Sequence, residues 1–170
     1  MTVVVADTSP IRYLVGIGEI GLLEKLYGQV IVPSAVLAEL QAEDGLALVR
    51  AWAGQLPDWV RVQTPARPLA APPQNLHRGE SQAIALAEEL RAALLLMDDR
   101  VGVQVALERG LTVTGTLGVL VEAAQMGLTP IEPVLEKLRR TNFRAKPELF
   151  ERALALARIS PPMTPRRKQE

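Results

Sequence analysis

The stretch TVVVADTSPIRYL (residues 2–14) joins two unlike pieces. TVVVA is apolar and β-branched without alternation, so it reads as a strand buried on both faces. TSPIRYL reads as a helix start, with hydroxyls that suit a cap and Pro10 near the first helical position. Asp7 sits at the join. A carboxylate there is costly unless something compensates it, which makes the junction the first place to look for chemistry.

The same alternation continues along the chain. QVIVP (29–33) and ALLLM (93–97) are further apolar strand candidates, LTVTG (111–115) is a shorter one, and WVRVQ (59–63) alternates as an edge strand does. Between them, GEIGLLEKLYG (18–28), SAVLAELQAED (34–44), DGLALVRAWAGQL (44–56), GESQAIALAEELRA (79–92) and TLGVLVEAAQMG (116–127) carry helical spacing and several end at glycines. DDRVGVQVALERG (98–110) opens on two acids that suit a helix cap and closes on a glycine. The proline-rich segment 64–79 has no period and reads as a crossover within one fold. IEPVLEKLRRT and KPELFERALALAR add two C-terminal helices. The expected architecture is a three-layer α/β/α fold with a mainly parallel central sheet, plus C-terminal helices. The expected domain spans 1–158, with a core at 2–127, helices at about 131–158 and a disordered basic tail at 159–170.

Composition narrows the chemistry. With 170 residues, 48% hydrophobic and 22% charged, one domain with a substantial core is expected. The formal net charge is zero, so attraction to a polyanion has to come from a local patch. There is no cysteine, which excludes disulfides and zinc thiolates. The only histidine, His77, lies in a polar loop-like stretch, so zinc sites built on several His or Cys are excluded. No G-x-S-x-G elbow supports a serine triad. No apolar run of spanning length and no signal-peptide start is present, so a soluble, cytoplasmic protein without membrane contact is expected.

Carboxylates remain, and they gather. Ligands of parallel sheets collect beyond the carboxyl ends of the strands. Asp7 follows the first strand, and Asp98 and Asp99 follow ALLLM. Glu80 opens the helix GESQAIALA, and Glu39 lies less than two turns into SAVLAEL. Singly, each also reads as a helix cap, a first-turn acid or a solvated face. Together they place acids at two strand ends and on two helices of one fold. Carboxylates about 4 Å apart repel by roughly 4 kcal/mol per pair at an effective dielectric near 20. Such a cluster takes up protons or a divalent cation, and oxygen donors suit Mg²⁺ or Mn²⁺. The hydroxyls of Thr8, Ser9 and Thr116 would position water or phosphate oxygens, and Arg100 would contact a flanking phosphate.

These residues resemble a known family. VVVADTSPIRYL, VIVPSAVLAEL, GESQAIALA, LLLMDDR and VTGTLGVLVEA, in this order over residues 2–127, are similar to the PIN domain, within it to the PIN-like proteins related to VapC-type toxins. The resemblance implies a Mg²⁺- or Mn²⁺-dependent endoribonuclease. It also implies a homodimer and an antitoxin protein as partner, and single-stranded RNA is the expected substrate because a buried acidic site needs a strand that can bend into it. Asp7, Glu39, Glu80 and Asp98 or Asp99 would be catalytic, with Asp7, Glu80, Asp98 and Asp99 as metal ligands. The chain departs from many VapC-type members at MDDR, where a T-x-D signature is usual, and in its C-terminal helices. A silent PIN-like module that binds RNA or protein is therefore the alternative. Receiver-like, haloacid-dehalogenase-like and P-loop readings fail on a missing Lys, a missing second acid and a missing G-K-[ST], respectively. The basic C-terminal residues Arg139, Arg140, Arg144 and Lys146, with Arg166, Arg167 and Lys168 in the tail, read as phosphate contacts or as a solvated face.

Overall fold

The apolar runs form the strands of one sheet. In the computed structural model, which describes residues 2–159, β1 (Val4–Ala6), β2 (Val30–Pro33), β3 (Val60–Gln63), β4 (Leu94–Leu96) and β5 (Val113–Thr114) make a five-stranded sheet of order β3-β2-β1-β4-β5. Every pairing is parallel, with Val5 opposite Ile31 and Leu95, and Leu96 opposite Thr114. The alternating WVRVQ run supplies the edge strand β3, whose Arg61 and Val62 are exposed.

Successive strand residues point to opposite faces, so one run feeds two cores. Val4, Ala6, Val30, Val32 and Leu96 pack on one face with α1 (Thr8–Gly16), α2 (Gly21–Tyr27), α3 (Ser34–Leu40), α4 (Ala47–Gly54) and α7 (Thr116–Gln125). Val5, Ile31, Leu95 and Met97 pack on the other face, mainly with α5 (Arg78–Glu89) and α6 (Arg100–Glu108). This gives the expected three layers. The C-terminal helices α8 (Ile131–Arg139) and α9 (Pro147–Ala157) join the first core through Ile131, Val134, Leu135, Leu138, Phe150 and Ala153. Among the described residues, no helix is long and apolar enough to cross a membrane. Of the expected tail, only Ile159 is described, so that expectation lies otherwise outside the described residues.

The strand order carries the functional consequence. The chain builds outward from β1 to β2 and β3, then returns to the far side of β1 for β4 and β5. The order reverses between β1 and β4, and the crevice beyond their carboxyl ends is where open parallel sheets take ligands. Asp7 and Asp98 stand there, joined through the sheet by the Asp7 N–H, which donates to the Leu96 carbonyl at 2.8 Å.

Candidate functional site at the carboxyl edge of the sheet

Each acid of the cluster is held by a different device. Glu39, on α3, accepts a hydrogen bond from the Thr8 hydroxyl at 2.5 Å and another from the Gly79 N–H at 3.2 Å. Glu80, in the first turn of α5, accepts from the His77 N–H at 3.1 Å, which ties down the start of its own helix. Asp98 accepts from the Thr116 N–H at 2.8 Å and from the Thr116 hydroxyl at 2.5 Å. Asp99 caps α6, taking the Val101 and Gly102 N–H groups at 2.9 and 3.1 Å.

Asp7 differs from all of them. It occupies the N-cap position of α1, yet its side chain makes no capping bond. It is 2% exposed, and its Oδ1 has no partner. The Arg50 Nε is the only other buried side-chain polar atom in that condition among the described residues. Burial pushes the Asp7 carboxyl up to about 7, and the negative charges of Glu80, Glu39 and Asp98 push it the same way. The Thr8 backbone N–H pulls in the opposite direction. Burial also raises Glu80, helped by Asp99 and Glu39, and burial raises Asp98 against the two Thr116 donors. The charges of Glu80, Glu39 and Asp98 thus reach Asp7, and that of Asp99 reaches Glu80.

Two close approaches make room for this crowding. A Cβ on Gly79 would lie 2.5 Å from the Glu39 Oε1, and one on Gly115 would lie 2.6 Å from the Asp98 Oδ1. Either methyl group would force the carboxylate aside. Nothing in the one-dimensional pattern distinguishes these glycines from turn glycines.

The structure reassigns the hydroxyls. Thr8 and Thr116 are buried, at 5% and 0% exposure, and both donate to carboxylates, so they orient acids. Ser9 is half-buried in the first turn of α1. Arg100 is exposed at the start of α6, directly after the acids. His77 is exposed, as its polar surroundings suggest.

A divalent cation fits this donor set. The donors are hard carboxylate oxygens, and one buried oxygen has no partner. No group of three or more such side chains among the described residues stands ready to enclose an ion by itself. That is compatible with Mg²⁺-like binding, which uses one or two carboxylates and keeps several waters.

A PilT N-terminus domain protein from the hyperthermophilic archaeon Sulfolobus solfataricus P2 is similar in structure, with a TM-score of 0.47 and 16% sequence identity, covering 86% of this chain and 100% of that one. No curated protein matches the chain. The family model DUF3368, described as a PIN domain, matches residues 3–158. That span includes every acid of the cluster and runs on through α8 and α9, beyond the residues 2–127 that carry the motifs. The chain belongs to the PIN-domain family.

Proposed function

We propose that the chain is a Mg²⁺- or Mn²⁺-dependent endoribonuclease whose centre is built around Asp7. PIN domains are generally nucleases and typically use divalent metals, which supports the reading at the level of class. The observation that carries it in this chain is the uncompensated Asp7 carboxylate. It is buried, one oxygen has no hydrogen-bond partner, and its acidic neighbours repel its charge.

Asp7 and Asp98 would hold the ion from the two strand ends, and Glu80 would complete the set directly or through water. Bound there, a divalent cation supplies charge neutralisation at a phosphodiester and lowers the pKa of water. Glu39, fixed by Thr8 and Gly79, adds negative potential that favours cation capture. Thr116 sets the rotamer of Asp98 by holding both of its oxygens. Asp99 keeps the start of α6 in place and so fixes the backbone that carries Asp98. Single-stranded RNA is the proposed substrate, because a recessed acidic centre needs a strand that can bend into it. A toxin-like role with an antitoxin partner, a homodimeric state and a cytoplasmic setting belong to the same proposal.

The test is cleavage of a mixed single-stranded RNA pool with Mg²⁺ or Mn²⁺, beside calorimetric Mn²⁺ binding, for the wild type and Asp7→Asn. Loss of both in the variant is the expected result. Wild-type ion binding with no cleavage would replace the enzyme by a silent PIN-like module.

A further inference from the structure

The basic residues near the C-terminus separate into two sets. Arg139 lies over the Phe150 ring at 4.7 Å, and Arg140 pairs with Glu136 one helical turn away at 3.4 Å. Both are committed to α8 and its packing. Arg144 and Lys146 lie in the α8–α9 connection and line an open groove together with Arg100, Phe143, Ala145, Glu148 and Leu149. Among the described residues, Arg100, Arg144 and Lys146 enter no salt bridge, whereas Arg109, Lys137, Arg140 and Arg158 each have one.

One wall of this groove adjoins the acids in the chain. Arg100 is the residue after Asp99 and opens α6. On the groove lining, Phe143 packs edge-on against Tyr13 of α1 at 5.0 Å. The charges of Asp98, Arg12 and Arg144 all reach the Tyr13 phenol. The connection itself is pinned. The Thr141 hydroxyl donates to the Leu138 carbonyl at 2.6 Å and accepts from the Phe143 N–H at 3.1 Å. The backbone just before Arg144 is therefore held. Glu148 is the one acid on the groove lining and sits on α9 beyond Lys146.

We infer that the groove walled by Arg100, Arg144 and Lys146 is a phosphate-binding track that guides a single RNA strand to the acidic centre. The occupant follows from charge and shape. Three cations spaced along an open groove suit the repeating charge of a nucleic-acid backbone. A net-neutral protein with acids at its centre needs such a patch to hold a polyanion near them. The inference rests on the nuclease reading for its direction, toward the acids, but not for the binding itself.

The experiment measures fluorescence anisotropy of a short, labelled, 2′-O-methylated single-stranded RNA, which resists cleavage, against salt concentration. The proteins are the wild type, the triple variant Arg100→Gln/Arg144→Gln/Lys146→Gln and the control Arg139→Gln/Arg140→Gln. All five side chains lie at the surface or near it, and circular dichroism checks that each variant folds. Each lost phosphate contact lowers the salt slope by about 0.7 for a single strand, so the triple variant should lose about 2 from its slope and the control almost nothing. An unchanged slope in the triple variant, an equal loss in the control, or no RNA binding by the wild type overturns the track. Tighter binding of polyglutamate than of RNA at equal charge also overturns it, in favour of an acidic protein segment. If the track behaves as expected while the wild type neither binds Mn²⁺ nor cleaves RNA, the track stands and the nuclease reading falls.

Discussion

Two strand-to-helix junctions meet on the same sheet edge, and they use their aspartates differently. At the β4–α6 junction two consecutive acids divide the work. Asp99 caps the helix with two backbone N–H groups, and Asp98 takes both Thr116 donors. At the β1–α1 junction a single acid, Asp7, stands at the cap position and does not cap. Its Oδ1 is buried without a partner. One junction is satisfied within the protein, and the other is satisfied only in part. A buried acid kept for structure is given donors, so the acid with a buried, unpartnered oxygen is the informative one.

The largest expected effect comes from breaking the unsatisfied side. Asp7→Asn should reduce ion-dependent RNA cleavage by more than about 100-fold, beyond the 10–100-fold typical of losing a residue that only supports a ligand. The same change should stabilise the fold at high pH in the absence of divalent ions. The folded chain holds the Asp7 proton up to about pH 7, whereas an unfolded chain releases it near its ordinary 3.8. The folded state therefore binds more protons through that window, and wild-type stability falls as the pH rises from about 4 to about 7. The upper bound is roughly 4 kcal/mol. Melting curves in EDTA at pH 5 and pH 8 check this: the wild type should lose stability between the two and Asp7→Asn should lose less. Equal slopes would contradict the burial account of Asp7.

Loosening the satisfied side should cost less. Thr116→Val removes the hydroxyl that holds the Asp98 Oδ2 and leaves only the backbone donor. A 10–100-fold loss of Mn²⁺ affinity or of cleavage is expected, as for other residues that orient a ligand. Gly115→Ala attacks the same carboxylate by crowding, since the added methyl would lie 2.6 Å from its Oδ1. The end of a side chain moves more cheaply than backbone, so activity should fall by more than stability. Comparing the activity loss with the shift in melting temperature tests that order.

The smallest effect sharpens the comparison. Asp99→Ser keeps a good helix cap, and the stability change should stay within a few tenths of a kcal/mol. If Asp99 serves only the helix, ion binding should stay close to wild type by calorimetry. A loss of tenfold or more would move Asp99 from the cap to the ion.

Much of this site is legible in the sequence, for identifiable reasons. The apolar runs fix which segments are strands. The parallel-sheet rule then puts the residues after them on one edge, which points to Asp7 and to the pair Asp98 and Asp99 without choosing within the pair. Glu39 and Glu80 follow from helix phase close to a helix start. What stays hidden depends on contacts between distant segments. The Thr8 hydroxyl reaches Glu39, 31 residues on. Gly79 and Gly115 look like ordinary helix-start and turn glycines until the carboxylates against them are seen. Arg139 and Arg144 belong to one basic run in the sequence. Only the end of α8 and the position of Phe150 show that one is stacked and the other faces the groove.

The central claim is that Asp7 is kept uncompensated for a cation. Calorimetry of Mn²⁺ binding at pH 6, in two buffers of different ionisation enthalpy, tests it most directly. Asp7 is largely protonated at that pH, so binding should release about one proton per ion. Asp7→Asn should bind far more weakly and release none. A wild type that takes up no Mn²⁺ at millimolar concentration, or a variant that binds as well as the wild type with the same proton release, would contradict the account.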